Sequence, residues 1–365
     1  MGSELHGLDC GRRRCALDAG SFHPEIAASS RRIRTPWLSS FRVKRLNTVA
    51  AIDVGSSSIH ALLVRVEGDR LVEVGRMKER VRLVSGAHRT LDPVRARSAV
   101  DALGRIAHWL LCSGAGSVVA AATSAVRDAA DGPAFVERVR RATGLHLRVL
   151  SAHEEATLSY RAARETLALG ERRALFLDIG GGSAQIVVGD GRQLLFAESL
   201  PLGVIRATER FLRSDPPADS EVRSLVAHMD EQLAPVLASV RGLGVERAIG
   251  TSGTVRALAA VLAHRRGERG SKDGLRSRPI ALADLRRLAV DLACLDCARR
   301  AATPRLPGHR ADTIVAGALL VERVLGGAQL ETLIPSRMGL REGLIREHIE
   351  RTVPSAPRRL VRASA

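Results

Sequence analysis

The sequence predicts an α/β protein of two similar lobes, on three observations. At 365 residues the chain has the length of two average domains. A β-rich segment occurs twice, and each copy is followed by alternating helical and strand-like segments. The composition is that of a folded water-soluble chain, 45% hydrophobic and 26% charged, with no apolar run near the roughly 18 residues a membrane span needs.

Residues 1–46 hold Arg12-Arg13-Arg14 and Arg31-Arg32-Ile33-Arg34 without sustained periodicity, which predicts a disordered basic extension. No continuous apolar segment of a secretory signal accompanies them, so a cytoplasmic protein is expected. The first lobe, residues 47–168, opens with NTVAAIDVGSSSIHALLVRVEGDRLVEVGR: an apolar strand, a Gly/Ser loop, a second strand, a Gly-Asp turn and a third strand. Helical spacing over 95–112, a short strand over 117–122, a helix over 133–143, a strand over 145–150 and a helix over 152–168 complete it. The second lobe, residues 169–352, repeats the opening as RRALFLDIGGGSAQIVVGDGRQLLFAES, with Asp178 at the place of Asp53. A helix over 220–240, a strand over 245–249, a loop over 250–254 and helices to about 326 follow. A strand near 330–334 and a closing helix over 340–350, expected to pack back on the first lobe, end it; residues 353–365 read as a loose tail.

The formal charge of +17 favours polyanionic partners. All but three of the 56 basic residues are arginine, the exceptions being Lys44, Lys78 and Lys272, and aromatics are only 2%, which leaves little stacking surface for single-stranded nucleic acid. Nucleic-acid binding is therefore unsupported. Five cysteines form no secreted framework, and Cys294-x-x-Cys297 has no second pair to complete a zinc site.

The loops carry the chemistry. A strand ending in Asp178 and running into Gly180, Gly181, Gly182 and Ser183 offers converging amides and a hydroxyl, which suits a phosphate oxyanion. A single loop of this kind also serves as an ordinary turn, but Asp53 with Gly55, Ser56, Ser57 and Ser58 offers the same arrangement from the other lobe. Gly250, Thr251, Ser252, Gly253 and Thr254 follow a strand and open a helix, where unpaired amides favour anions. Asp53 and Asp178 are candidate Mg²⁺ ligands, directly or through water, and each also fits the simpler part of tying down its own turn. In Ser151-Ala152-His153-Glu154-Glu155 the spacing of Ser151 and Glu154 is that of a capping box. Glu155 is then free to act as the base for a water nucleophile. Arg127 follows a strand where its guanidinium can fork onto phosphate. Arg310, Asp312 and Gly317 read as structural, Asp312 starting a helix and Gly317 allowing close packing.

Taken in order, AAIDVGSSSIHALLVRV, ATSAVRDA, VLSAHEEATLSYRAA, LFLDIGGGSAQIVVGDG, ESLPLGVIRATERF, AIGTSGT, HRADTIVAGALL and MGLREGLI resemble the exopolyphosphatase and guanosine-pentaphosphate phosphohydrolase family over residues 47–350. The resemblance implies two ribonuclease H-like, actin-type (ASKHA) lobes with a cleft between them. It also implies Mg²⁺-dependent release of terminal phosphate from inorganic polyphosphate or guanosine pentaphosphate. It places the catalytic glutamate on Glu155, the metal- and phosphate-binding aspartate on Asp178, the first-lobe aspartate on Asp53, the glycine loop on Gly180 to Ser183 and the phosphate-facing arginine on Arg127. Two positions depart from the family pattern, Ser57 for asparagine and Gln185 for glutamate. They motivate an alternative reading as a catalytically weak binder of polyphosphate or an alarmone. No adjacent His-Asp pair is present, so the resemblance is to the short two-lobed form; a second copy of the chain, as a homodimer, is a candidate partner.

Overall fold

The computed structural model describes residues 47–352 apart from 69, 84–89, 167 and 168. The two expected tails lie outside the described residues. Two sheets form the α/β architecture. The chain runs β1 (Thr48–Val54), β2 (Ser58–Glu67), β3 (Arg70–Arg80), α1 (Pro93–Cys112), β4 (Ser117–Ala122), α2 (Ser124–Arg127), α3 (Gly132–Thr143), β5 (Leu147–Val149) and α4 (Ala152–Thr166). It continues with β6 (Ala174–Ile179), β7 (Ala184–Gly189), β8 (Leu194–Leu200), α5 (Val204–Phe211), α6 (Asp219–Gly242), β9 (Arg247–Gly250) and α7 (Gly253–Arg265). The last part is α8 (Lys272–Leu275), β10 (Ile280–Ala281), α9 (Leu282–Ala293), α10 (Cys297–Ala301), a 3-10 turn (Gly308–Arg310), α11 (Ile314–Gly327), β11 (Thr332–Pro335) and α12 (Leu340–Thr352).

The first sheet has the order β3-β2-β1-β4-β5 and the second β10-β11-β9-β6-β7-β8. Read from β8, the second repeats the first: an antiparallel meander of three strands, then parallel strands beside its first member, with β10 added at the far edge. The repeat in the sequence is thus a repeat of topology. Its apolar runs are the strands buried on both faces, such as Ala50 to Ile52 and Ala174 to Leu177.

Local chemistry sets the helix starts. Asp92 caps α1, its carboxylate accepting from the amides of Val94 and Arg95 at 2.9 Å, with Pro93 at the first position. Ser252 caps α7 through the Val255 amide at 3.0 Å. The expected start at Asp312 is not seen: α11 begins at Ile314, and the Asp312 carboxylate instead pairs with Arg82 on the far side of the cleft. Gly317 does permit close packing, since a Cβ there would lie 2.3 Å from the Thr254 methyl. The expected strands over 145–150, 245–249 and 330–334 are shorter or shifted by one or two residues, because apolar Leu150 and Leu330 are buried from loops.

Two helices tie the sheets together. On α4, Ala156, Tyr160 and Ala163 pack on Phe176, Val187 and Ile249 of the second sheet. On α12, Leu340, Leu344 and Ile345 pack on Val49, Ala51, Leu62 and Ala121 of the first. The helices meet where Gly343 lies against the Leu158 carbonyl, so closely that a Cβ would stand 2.2 Å from that oxygen. Among the described residues no helix is long and apolar enough to cross a membrane.

Candidate active site

The repeated topology brings both aspartates to one cleft. Asp53 stands on β1 opposite His60 of β2, and Asp178 on β6 opposite Gln185 of β7, the same register position in each sheet. Both line an open cleft, together with Glu155 and the loops after β1, β6 and β9. Each strand-end loop is closed by one backbone bond, Gly55 N–H to Ser58 O at 3.2 Å and Gly180 N–H to Ser183 O at 2.9 Å. Among the described residues the amides of Ser56, Ser57, Gly181, Gly182, Gly253 and Thr254 meet no protein acceptor. Free amides at loop bends and at a helix start are oxyanion donors.

The first two loops touch each other. A Cβ at Gly181 would sit 3.1 Å from Cβ of Ser56, and one at Gly182 would sit 2.8 Å from the hydroxyls of both Ser56 and Ser124. Glycine is required on the second loop because the first already carries serine there. Ser56 and Ser124 share a buried hydroxyl pair at 3.1 Å.

Glu155 enters from the first turn of α4. Ser151 and Glu154 form the reciprocal capping box, Ser151 N–H donating to the Glu154 carboxylate at 2.8 Å and Glu154 N–H to Ser151 Oγ at 3.1 Å. That leaves Glu155, only 8% exposed, at the cleft wall. Burial pushes its carboxyl up to about 7, against the pull of Arg127, with Asp178 and Asp53 adding to the rise. Asp53 is pushed up to about 6, again by burial first, partly offset by Arg341 and reinforced by Asp178. Asp178 is raised by burial, opposed by the Ser159 hydroxyl, which donates to Oδ2 at 3.2 Å.

Opposite the carboxylates stands a basic wall made by Lys78, Arg256, Arg310, Arg337 and Arg341. Desolvation and the neighbouring guanidiniums hold Arg310 down to about 10 and Lys78 down to about 8. Arg256 is lowered for the same reasons. Arg256 Nε is buried and finds no hydrogen-bond partner among the described residues, while the buried Thr251 hydroxyl faces Asp178 and, like Ser159, opposes the rise of its carboxyl. Crowded cations and an orphaned guanidinium donor are relieved together by one bound anion.

Of the residues singled out from sequence, Asp53, Asp178, Glu155, Gly55, Ser56, Ser57, Ser58, Gly180, Gly181, Ser183, Thr251, Ser252, Gly253 and Thr254 all line the cleft. Three do not. Gly182 is sealed between the two loops, and Gly250 ends β9, where a Cβ would strike Leu333 and Val255 at 2.8 Å. Arg127 lies behind Glu155 instead of facing the cleft: Nη1 donates to Glu155 Oε2 at 2.9 Å and to Leu150 O at 3.1 Å, and Nε faces Asp128 at 3.4 Å. A buried carboxylate outcompetes open space for that guanidinium.

Sequence reasoning missed the basic wall. Arg310, structural by its sequence context, lines the cleft and spans the start of α7, donating to Thr254 Oγ1 at 3.2 Å. The guanidinium lies close over Gly253, where a Cβ would stand 2.1 Å from Arg310 Nη2. Lys78 did carry a signal, being one of three lysines among 56 basic residues. Arg256, Arg337 and Arg341 carried none, since their convergence is set by tertiary structure alone.

Residues 62–352 match the Ppx/GppA phosphatase family. Exopolyphosphatase 1 of Mycobacterium leprae is 32% identical over 302 residues, covering 81% of this chain and 88% of the relative. A guanosine-5'-triphosphate,3'-diphosphate pyrophosphatase of Aliivibrio fischeri is 30% identical over 215 residues, 58% of this chain and 43% of that one. The crystal structure of an exopolyphosphatase from Cytophaga hutchinsonii superposes with a TM-score of 0.78 at 25% identity, covering 83% of this chain and 98% of that chain. With a family match over most of its length and that family's fold, the chain belongs to the Ppx/GppA phosphatase family.

Proposed function

We propose that the protein is an Mg²⁺-dependent exopolyphosphatase that releases terminal orthophosphate from inorganic polyphosphate by attack of a water activated by Glu155. The observation that carries the reading is the pairing, in one cleft, of a buried carboxylate raised to about 7 with a partnerless guanidinium donor and free amides. The terminal phosphoryl group lies against the loop amides, Thr251 and Arg256, whose hydrogen bonds strengthen as charge builds on its oxygens. Glu155 accepts the proton of the water as the oxygen–phosphorus bond forms and the anhydride bond to the departing chain breaks. Arg127 positions Glu155 and, as its cation, holds the carboxyl below where burial alone would set it.

The donor set suits Mg²⁺. Among the described residues no three His, Cys, Asp or Glu side chains group as a metal cage. Mg²⁺ needs only one or two carboxylates, completing its shell with water and phosphate oxygens. Asp53 and Asp178 would hold it, and the cost of burying both as anions is what a cation there offsets. When bound, the ion supplies charge screening between carboxylates and phosphates.

Guanosine pentaphosphate presents the same terminal phosphoryl group, and the Aliivibrio fischeri relative is named for a guanosine substrate, so it is the second substrate to test. Phosphate release from each substrate with Mg²⁺ is compared between wild type and Glu155→Gln. The variant is expected to lose at least about a hundredfold in turnover with KM largely kept. Comparable turnover would remove Glu155 from this role, and no release by wild type would leave a binding protein.

A further inference from the structure

His309 separates the cleft from a second depression. That neighbouring groove is bounded by Arg80, Arg276, Arg305 and His309 with apolar Ala260, Leu275, Leu306 and Pro307, and His309 lines the cleft as well. Elsewhere on this arginine-rich surface many guanidiniums have a carboxylate: Arg105 with Glu79, Arg266 with Glu268 and Asp284, Arg323 with Asp230. What sets the groove apart is its place, beside the cleft and sharing His309 with it. Among the described residues Arg276 and Arg305 have no carboxylate within ion-pair distance, and Arg80 is bonded to the neutral ring of His309, Nη2 to Nδ1 at 2.9 Å.

The groove and the cleft share one positive field. Arg276 contributes to lowering Arg310 and Arg256 on the cleft wall and His309 on the ridge. Among the described residues no Phe, Tyr or Trp lines the groove to stack on a base; three arginines, His309 and four apolar residues do. We infer that the groove is a second anion site that takes the downstream phosphates of inorganic polyphosphate while its terminal residue occupies the cleft. The inference rests on the proposed function and commits it to chains long enough to pass His309, in preference to a nucleotide.

The test is the double variant Arg276→Gln/Arg305→Gln, assayed with tripolyphosphate, long-chain polyphosphate and guanosine pentaphosphate. For the long chain KM is expected to rise about tenfold and its salt dependence to become shallower by about two in log–log slope, one per lost phosphate contact. Turnover on tripolyphosphate and its KM are expected to stay as in wild type, while Arg276→Lys/Arg305→Lys restores most of the long-chain affinity. An unchanged KM and slope for the long chain would overturn the proposal, as would an equal loss on tripolyphosphate, which would place the arginines at the cleft. If wild type released phosphate from none of the three, the functional reading would fail instead. Long-chain polyphosphate binding by the wild type and the double variant would then still decide the groove, equal affinity overturning it.

Discussion

In the first half of the cleft the loop after β1 reads Gly55-Ser56-Ser57-Ser58; in the second, the loop after β6 reads Gly180-Gly181-Gly182-Ser183. Both end in a serine whose hydroxyl is met by the residue two positions on, Ser58 by His60 Nε2 at 2.8 Å and Ser183 by Gln185 Nε2 at 2.8 Å. His60 is held well below its ordinary pKa by burial, then by Arg341 and the other cations, so its ring is neutral. Arg341 can only donate, and its Nη1 lies 3.4 Å from Nδ1, which leaves the proton on Nε2. In both halves, then, a donor occupies the serine oxygen and the serine proton is free to point at a ligand. Different residues, an imidazole and an amide, keep the same hydrogen-bond polarity. The halves differ in how each aspartate is held: Ser159 donates to Asp178, whereas among the described residues no side chain or amide donates to Asp53.

That asymmetry gives the largest expected effects. Asp53→Asn and Asp178→Asn each lose about a hundredfold or more in activity, since each removes a candidate metal ligand. In metal-free protein their stabilities separate. Asp53 is raised to about 6, so its ionised form is the costly one. The penalty is absent below the ordinary carboxylate range, grows as pH rises through about 6 and is complete above it. Asp53→Asn is therefore expected to raise the melting temperature in chelator by about 2 °C or more at pH 8, with the gain closing as pH falls toward 4. Asp178→Asn gains less, because it also weakens a charge-assisted bond from Ser159. An equal gain in thermal melts would show that the two aspartates are held alike.

The shared features of the two halves were legible in the sequence, and the asymmetric ones were not. Glycine placement, Asp at a strand end and the Ser151 capping box are local rules, so the repeat, both loops and the engagement of Glu154 in that box, which leaves Glu155 at the cleft wall, could be read directly. Arg310, Arg337 and Arg341 reach the cleft from the far end of the chain, and nothing local distinguishes them from other arginines. For Arg127 the local signal gives the position after a strand but not the partner: a buried carboxylate beside it holds the guanidinium.

A moderate effect is expected from that same contact, which has no counterpart in the second half. Glu155 must be ionised to accept a proton, and its carboxyl sits at about 7, so the rate should rise with pH below about 7 and level off above. Arg127 is what pulls the value down against burial. Arg127→Gln therefore moves the rising limb to higher pH and slows the reaction about tenfold at pH 7, with much of the rate recovered at pH 9. A pH profile parallel to wild type, lower at every pH, would assign Arg127 to the phosphate instead of to Glu155.

The smallest effect tests the preserved polarity itself. Gln185→Glu places a third carboxylate beside Asp178, and a metal-binding half with more negative charge should need less Mg²⁺ for half-maximal activity, by a few-fold. But a carboxylate only accepts. Ser183, which now receives from Gln185, would have to donate to the introduced carboxylate and turn its proton away from the phosphate. The two consequences have opposite signs and are read on different axes: the Mg²⁺ requirement falls while KM for polyphosphate rises a few-fold. His60→Gln, which gives the first half the donor of the second, should move neither by as much. If Gln185→Glu lowered the Mg²⁺ requirement with no rise in KM, the serine proton would not be serving the phosphate. The likeness of the two loops would then be one of backbone geometry alone.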